Sequence, residues 1–159
     1  MKLEKAIFAC GCFWGAQYQF EHAKGVVRST VGYIGGHKEH PAYEEVKAHT
    51  TGHAEATLVE FDAEQTSFTE LCKLFFEIHD PAQTDGQGPD IGPQYRSEIF
   101  YLNDKQKEEA EAVIALLRRK GYEVNTKLTP ATTFWEGEEY HQHYYDKTGG
   151  EPYCHIRVK

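Results

Sequence analysis

The sequence Ala-Cys-Gly-Cys-Phe-Trp-Gly at positions 9–15 decides the fold, because one pattern of secondary structure changes to another there. Residues 4–9 predict a short strand, and residues 16–20 carry apolar side chains at helical spacing. The stretch is therefore a strand-to-helix turn, with Cys12 near a helix N-terminus. Unpaired backbone N–H groups and the helix dipole favour an anion there, so we expect a lowered pKa and a reactive thiolate at Cys12.

Two aromatic residues, Phe13 and Trp14, follow this cysteine. They could form a wall against which an apolar group of a substrate packs. A plainer interpretation is a buried structural cysteine in a turn with two core aromatic residues, since cysteine is among the most buried residue types. The local pattern alone leaves both interpretations open.

Length and composition limit the class of protein. A chain of 159 residues suits one domain that needs no disulfide or metal for stability. The formal net charge of −8 argues against nucleic acid or an anionic membrane as partner. No apolar run approaches the roughly 20 residues of a membrane span, and the N-terminus leads directly into a strand. We therefore expect a cytoplasmic protein, and we take it to be a monomer.

The cysteines should be reduced in that compartment, so we expect any disulfide to be transient and catalytic. They are Cys10, Cys12, Cys72 and Cys154. The spacing of the first pair is not that of a zinc ribbon or a thioredoxin motif, and no second pair completes a tetrahedral site. His141 and His143 would face different ways on a helix. We therefore expect neither a metal nor a cofactor.

The rest of the chain alternates strands and helices. Ser67 and Glu70 form a capping box ahead of an amphipathic helix that Pro81 ends. Residues 82–93 predict a functional loop, and residues 147–159 predict a flexible tail. Other predicted strands cover residues 26–34, 52–62, 96–102 and 124–128, and other predicted helices cover residues 44–49, 104–120 and 138–145. The alternation indicates an α+β fold, a two-layer α/β sandwich.

Glu55 is a candidate proton donor. In its predicted strand it shares a face with Val59 and Phe61, so we expect its carboxyl group to be desolvated and its pKa to be raised. The alternative is an exposed carboxylate at the edge of a strand. The pattern of the strand alone does not decide between them.

Four segments of the chain resemble, in the same order, the motifs of the A-type peptide methionine sulfoxide reductases. They are ACGCFWG at 9–15, TGHAE at 51–55, the run from HDP at 79–81 to DIGPQYRS at 90–97, and YHQHY at 140–144. The resemblance implies a ferredoxin-like core with a mixed sheet, helices packed on it and a coiled C-terminal tail. It also implies that residues 1–159 form a single catalytic domain.

The resemblance assigns roles to particular residues. It implies that Cys12 is the nucleophile that attacks the sulfoxide and that Glu55 is the catalytic acid. The substrate-binding residues that it implies are Phe13 and Trp14 as walls of a methyl pocket, Tyr43 and Tyr95 as phenols that bind the sulfoxide oxygen, and Asp90 in the substrate loop. Phenol donors aimed at an oxygen that gains negative charge would stabilise the transition state.

The resemblance also implies the catalytic cycle. Methionine S-sulfoxide, free or in peptides, would be reduced to methionine while Cys12 becomes a sulfenic acid. This reduction would repair oxidised proteins. Cys154 would resolve this intermediate as a Cys12–Cys154 disulfide, and thioredoxin would reduce the disulfide. Cys10 is second choice because it could close only a strained small ring, and Cys72 is most simply a core residue.

Two other classes of function remain open. A cysteine hydrolase or acyltransferase would use Cys12 with His53 and form an acyl-enzyme, although no oriented Cys–His–Asp set is apparent. A non-catalytic module would bind peptides through Phe13, Trp14 and Trp135, and its binding would survive replacement of Cys12 by serine.

Overall fold

The computed structural model describes residues 1–149. Its strands are β1 Leu3–Cys10, β2 Val26–Ile34, β3 Ala54–Asp62, β4 Gly86–Gln87, β5 Asp90–Ile91, β6 Ser97–Tyr101, β7 Lys127–Pro130 and β8 Trp135–Glu136. Its helices are α1 Phe13–Glu21, α2 Tyr43–Lys47, α3 Phe68–Glu77, α4 Asp104–Arg119 and α5 Tyr144–Thr148, with 3₁₀ turns at Pro93–Tyr95 and Glu139–His141. In this part of the chain no helix has the length and apolar character needed to cross a membrane.

Six strands within residues 1–149 form one sheet in the order β7-β6-β1-β3-β2-β8. Strands β6 and β7 run parallel, and the other neighbours run antiparallel. Helices α1, α3 and α4 pack on one face over a core that includes Phe8 and Phe61. The other face carries a smaller cluster around Ile34 and Phe100, against which Phe134 packs. The predicted α+β two-layer fold with a mixed sheet is confirmed.

Local signals place several elements where the sequence predicts them. Strand β2 has the predicted bounds. Helix α3 begins directly after Ser67, whose hydroxyl oxygen accepts a hydrogen bond from the N–H of Glu70 at 3.1 Å. Helix α4 ends before Gly121, which adopts a φ of +93° that favours glycine. In these elements the residues that set the beginning or end of the helix or strand lie within a few positions of one another.

Long-range hydrogen bonds move other elements away from their predicted positions. The strand predicted at residues 124–128 forms as β7 instead, because the N–H of Asn125 donates to the carbonyl of Pro81 at 2.8 Å before the chain reaches the sheet. The segment predicted as a loop contains the β4–β5 hairpin. Its buried Gln87 accepts from the N–H of Asp80 and donates to the carbonyl of the same residue.

The helix predicted over residues 138–145 is a 3₁₀ turn followed by α5. Gln142 separates the two, because its side chain accepts from the N–H of Val31 at 2.9 Å and donates to the carbonyl of Val31 at 3.0 Å. His143 then turns the chain with a φ of 55°. A side chain that bonds to the neighbouring strand therefore interrupts the local helical pattern.

The first two residues of the predicted tail, which spans residues 147–159, are helical. Residues 147 and 148 form the end of α5, where the ammonium group of Lys147 donates to the backbone carbonyl of Glu139 at 2.8 Å. Residues 150–159, which include Cys154, lie outside the described residues.

We expect Gly32→Ala to lower the free energy of unfolding by about 1–3 kcal/mol. A Cβ at Gly32 would lie 2.3 Å from the carbonyl oxygen of Trp135 and 2.6 Å from the ring of Phe134, so β8 would have to move away from β2. Equilibrium unfolding in urea measures the change. Arg28→Ala, at an exposed position of the same strand, is the control and should change stability by no more than about 0.5 kcal/mol. Equal effects of the two substitutions would contradict the tight fit of β8.

Candidate active site

The strand register brings Glu55 to the place where β1 ends and α1 begins. Phe8 pairs with Thr57, and Tyr33 pairs with Glu55, so the start of β3 lies between the ends of β1 and β2. The N–H of Phe13 donates to Oε1 of Glu55 at 3.3 Å. Cys12 is the N-cap residue of α1 and is 8% exposed. The nucleophile and the acid predicted from the sequence therefore lie at one site.

The Glu55 carboxyl group is almost fully buried, with 1% of the residue exposed. Its Oε2 atom has no hydrogen-bond partner among the described residues. Burial raises the pKa of Glu55 to about 8, the N–H of Phe13 opposes this shift, and the charge of Asp90 adds to it. The carboxyl group is therefore protonated at neutral pH and can donate a proton from Oε2. The expected burial of Glu55 is confirmed.

Two phenols face the same site. Tyr43 begins α2, and Tyr95 ends the 3₁₀ turn before β6. Burial raises the pKa of each, and the charges of Glu55 and Cys12 raise both further. The charge of Asp90, in the β4–β5 hairpin, likewise raises the pKa values of Glu55 and Tyr95. The structure thus brings together the acidic, phenolic and thiol groups that the resemblance selects, although they lie far apart in the sequence.

Aromatic rings form one side of this site. The Phe13 ring lies 5.6 Å from the Tyr33 ring and 6.4 Å from the Tyr43 ring, centroid to centroid. The Trp14 ring stacks on Tyr144 at 3.8 Å. Because Phe13 is buried and Trp14 is half-buried, these rings suit an apolar group of a small substrate.

Sequence reasoning missed two residues that hold the aromatic wall. His141 is fully buried and its Nδ1 accepts a hydrogen bond from the indole N–H of Trp14 at 2.9 Å. Burial lowers the pKa of His141, so its ring is neutral at neutral pH. Tyr144 fixes the other side of the indole by stacking. Both residues belong to the motif at 140–144, which indicated that this segment matters for the family. A motif does not show which side chains its residues contact.

Glu138 is a third residue that sequence reasoning missed. Its carboxylate accepts from the N–H of Tyr43 at 2.9 Å and from the hydroxyl of Tyr33 at 2.8 Å. Burial opposes ionisation, but these two hydrogen bonds outweigh it and lower the pKa of Glu138. An ionised Glu138 therefore ties the start of α2 to strand β2. No local pattern around Glu138 indicates this contact.

The histidines within residues 1–149 do not form the alternative sites considered from the sequence. Nδ1 of His53 accepts from the N–H of Gly36, and its Nε2 bonds to the carbonyl of Lys38 at 2.6 Å, so both ring nitrogens are occupied and neither faces Cys12 as a base. Within residues 1–149, no group of three or more histidine, cysteine or acidic residues could hold a metal ion.

The two other described cysteines lie in the hydrophobic core. Cys10 and Cys72 are buried in the cluster beneath α1 and α3. Burial raises the pKa of both thiols, which makes them weak nucleophiles. The structure agrees with the expectation that Cys72 is a core residue. Cys154 lies outside the described residues, so its role stays a prediction.

A cysteine at a helix start beside a protonated, buried carboxyl group defines a site for thiol chemistry. The family model described as peptide methionine sulfoxide reductase matches residues 4–159. The chain belongs to the peptide methionine sulfoxide reductase family. The predicted family and enzyme class are confirmed, and the hydrolase and peptide-binding interpretations are set aside.

Individual relatives agree with this assignment. A peptide methionine sulfoxide reductase MsrA from Geobacter sulfurreducens is 48% identical over 151 residues, which cover 93% of each chain. The reduced form of Mxr1 from Saccharomyces cerevisiae matches with a TM-score of 0.91 and 34% identity over 99% of this chain and 93% of that one. Methionine sulfoxide reductase A of Corynebacterium diphtheriae matches with a TM-score of 0.83 and 33% identity over 96% and 77%.

The raised pKa of Glu55 predicts a loss of stability with rising pH. Between its ordinary value of 4.5 and the folded value of about 8, the folded protein keeps a proton that the unfolded chain has released. Stability should therefore fall across this window by up to about 1.4 kcal/mol per pH unit. Glu55→Gln lacks this proton and should become progressively more stable than the natural protein over the same window. Urea unfolding at several pH values measures both, and parallel curves would refute the shift.

Proposed function

We propose that this member of the family reduces methionine sulfoxide with Cys12 as nucleophile and Glu55 as acid. The observation that carries the proposal is the Glu55 carboxyl group, which is buried and protonated and has Oε2 without a partner among the described residues. Its other oxygen is fixed by the helix that begins directly after Cys12. An acid held in this way can protonate the sulfoxide oxygen while the neighbouring thiolate attacks the sulfoxide.

The first step follows from these positions. The Cys12 thiolate attacks the sulfoxide, while Glu55 protonates the oxygen and the Tyr43 and Tyr95 phenols donate hydrogen bonds to it. The oxygen passes to the Cys12 sulfur, which becomes a sulfenic acid, and the sulfoxide is reduced to methionine. Phe13 and Trp14 would hold the methyl group against the aromatic wall.

Recycling then requires a second thiol. We propose that the Cys154 thiol displaces water from the Cys12 sulfenic acid and forms a disulfide. The described chain reaches Gly149 directly after α5, and α5 packs on α1 through Tyr144 and Trp14. Five further residues of chain span at most ~17 Å, which sets the largest distance from Gly149 at which the resolving thiol could act.

Thioredoxin is the proposed reductant of this disulfide, by thiol–disulfide exchange. The yeast relative Mxr1 has also been solved in complex with Trx2.

We further propose the S epimer as substrate, free or in peptides, since each sulfoxide epimer has its own enzyme. Residues 1–159 would act as one catalytic domain, in the cytoplasm and as a monomer. A reducing compartment fits the thiols at Cys10, Cys12 and Cys72.

A thiol count tests the cycle. Reduced protein is exposed to excess methionine sulfoxide without a reductant, and the remaining thiols are counted and mapped. We expect two thiols to be lost with Cys12 joined to Cys154, and we expect Cys154→Ser to stop at a Cys12 sulfenic acid with one methionine released. Cys72→Ser is the control and should behave as the natural protein. Survival of all thiols with both epimers would refute the proposed chemistry.

Substitutions of Glu55 test the acid. Glu55→Gln keeps an oxygen for the N–H of Phe13 and places an amide donor near the position of Oε2, whereas Glu55→Ala removes both. We expect the rate of the first step to fall about 10²–10⁴-fold in Glu55→Ala and clearly less in Glu55→Gln. Methionine release in a single turnover is the measurement. Equal losses would show that hydrogen bonding by this side chain does not contribute.

A further inference from the structure

Arg96 lies next to the site and has no role in the chemistry described above. It directly follows Tyr95 and is half-buried. Its guanidinium group donates to three acceptors, which are Oε1 of Glu98 at 2.6 Å, the carbonyl of Pro93 at 2.9 Å and the carbonyl of Gly52 at 3.1 Å. These acceptors lie in three segments, which are the 3₁₀ turn directly before Arg96, the strand directly after it and the distant loop at Gly52.

Two of these segments carry catalytic groups. Gly52 lies in the loop that leads into Glu55, and Pro93 begins the 3₁₀ turn that ends at Tyr95. When the guanidinium group is removed, the carbonyl of Pro93 keeps the hydrogen bond from the backbone N–H of residue 96 at 3.3 Å, whereas the hydrogen bond to the carbonyl of Gly52 would have to come from solvent. The guanidinium group thus fixes the distance between the backbone that carries the acid and the backbone that carries one of the phenols.

The third segment is part of the rigid sheet. Glu98 lies in β6, and its side chain is nearly buried. Its second oxygen accepts a hydrogen bond from the hydroxyl of Thr129 in β7 at 2.5 Å. A carboxylate held between two strands is a fixed point, so Arg96 anchors both loops to the sheet.

We infer that Arg96 is a positioning residue, which holds the backbone segments of Glu55 and Tyr95 in the arrangement required for protonation of the substrate oxygen. The inference rests on the proposed function. A planar guanidinium group can bond a carboxylate and two carbonyls at fixed angles, whereas a lysine ammonium group acts as a point charge. Arg96→Lys therefore keeps the charge beside Glu98 and removes the fixed geometry.

The pH dependence of the first step reports this positioning. Activity should fall as the pH rises through the pKa of Glu55, because the acid must be protonated. The other titratable groups that act on Glu55 or share its site are Asp90, Tyr33, Tyr43, Tyr95 and Cys12, and Arg96→Lys leaves all of them in place. Loosened loops would admit water to the Glu55 carboxyl group. The pH at which the rate of the first step falls, called here the falling limb of the pH–rate profile, would then move to a lower value.

The experiment measures single-turnover methionine release against pH and substrate concentration in the full-length protein. For Arg96→Lys we expect the maximal rate to fall about tenfold to a hundredfold, with little change in KM because the aromatic wall is untouched. We expect the falling limb to move to lower pH by at least about half a unit. An unchanged limb with a rate within about twofold of the natural protein would overturn the inference.

Two variants separate positioning from general loss of stability. Arg118→Lys replaces an exposed arginine that donates to the carbonyl of Val124. It should keep the rate and the falling limb, even where the melting temperature falls. If Arg96→Lys does not fold, Glu98→Gln is the alternative. It weakens only the hydrogen bond between Arg96 and the side chain of residue 98, and it should move the falling limb in the same direction. No shift in that variant would likewise overturn the inference.

Failure of the proposed function would look different. A natural protein that releases no methionine, or a Cys12→Ser variant that still releases it, would refute the reductase mechanism itself. An active natural protein whose Arg96→Lys variant behaves like Arg118→Lys would refute only the positioning role.

Discussion

The hydrogen bond from the N–H of Phe13 to the buried carboxyl group of Glu55 joins the two halves of the site. It forms because β3 starts between the ends of β1 and β2, and because α1 begins directly after β1. Burial keeps this carboxyl group protonated, and the same contact places it beside the start of α1, where Cys12 lies. The register of the sheet and the start of one helix therefore set the chemistry together.

Around this contact, the site is held by residues that do not react. His141 and Tyr144 fix the indole of Trp14, and Glu138 ties Tyr43 to strand β2. Arg96 joins the loop before Glu55 and the turn that carries Tyr95 to Glu98 of the sheet. The hydrogen bonds among these contacts replace solvent around polar groups in a confined space, so the catalytic groups need little reorganisation when a substrate binds.

Local patterns predicted part of the fold correctly. The alternation in β2 and the capping serine of α3 involve neighbouring residues, so the sequence is sufficient to locate them. The strand expected at residues 124–128 and the helix expected at 138–145 were placed wrongly. Hydrogen bonds to Pro81 and Val31, which are distant in the sequence, decide the course of the chain in both segments.

For the site, the sequence by itself determined that Cys12 follows a strand and precedes a helix, and that Glu55 lies on an apolar strand face. Both conclusions depend on residues within about ten positions, and the family resemblance supplied the remaining roles. Only the tertiary structure decided that Tyr43, Tyr95 and Asp90 converge on Glu55, because their separation in space depends on sheet register and loop contacts. The physical reason is that local sequence sets backbone conformation, whereas burial and hydrogen bonding between distant segments set the protonation and geometry of the reacting groups.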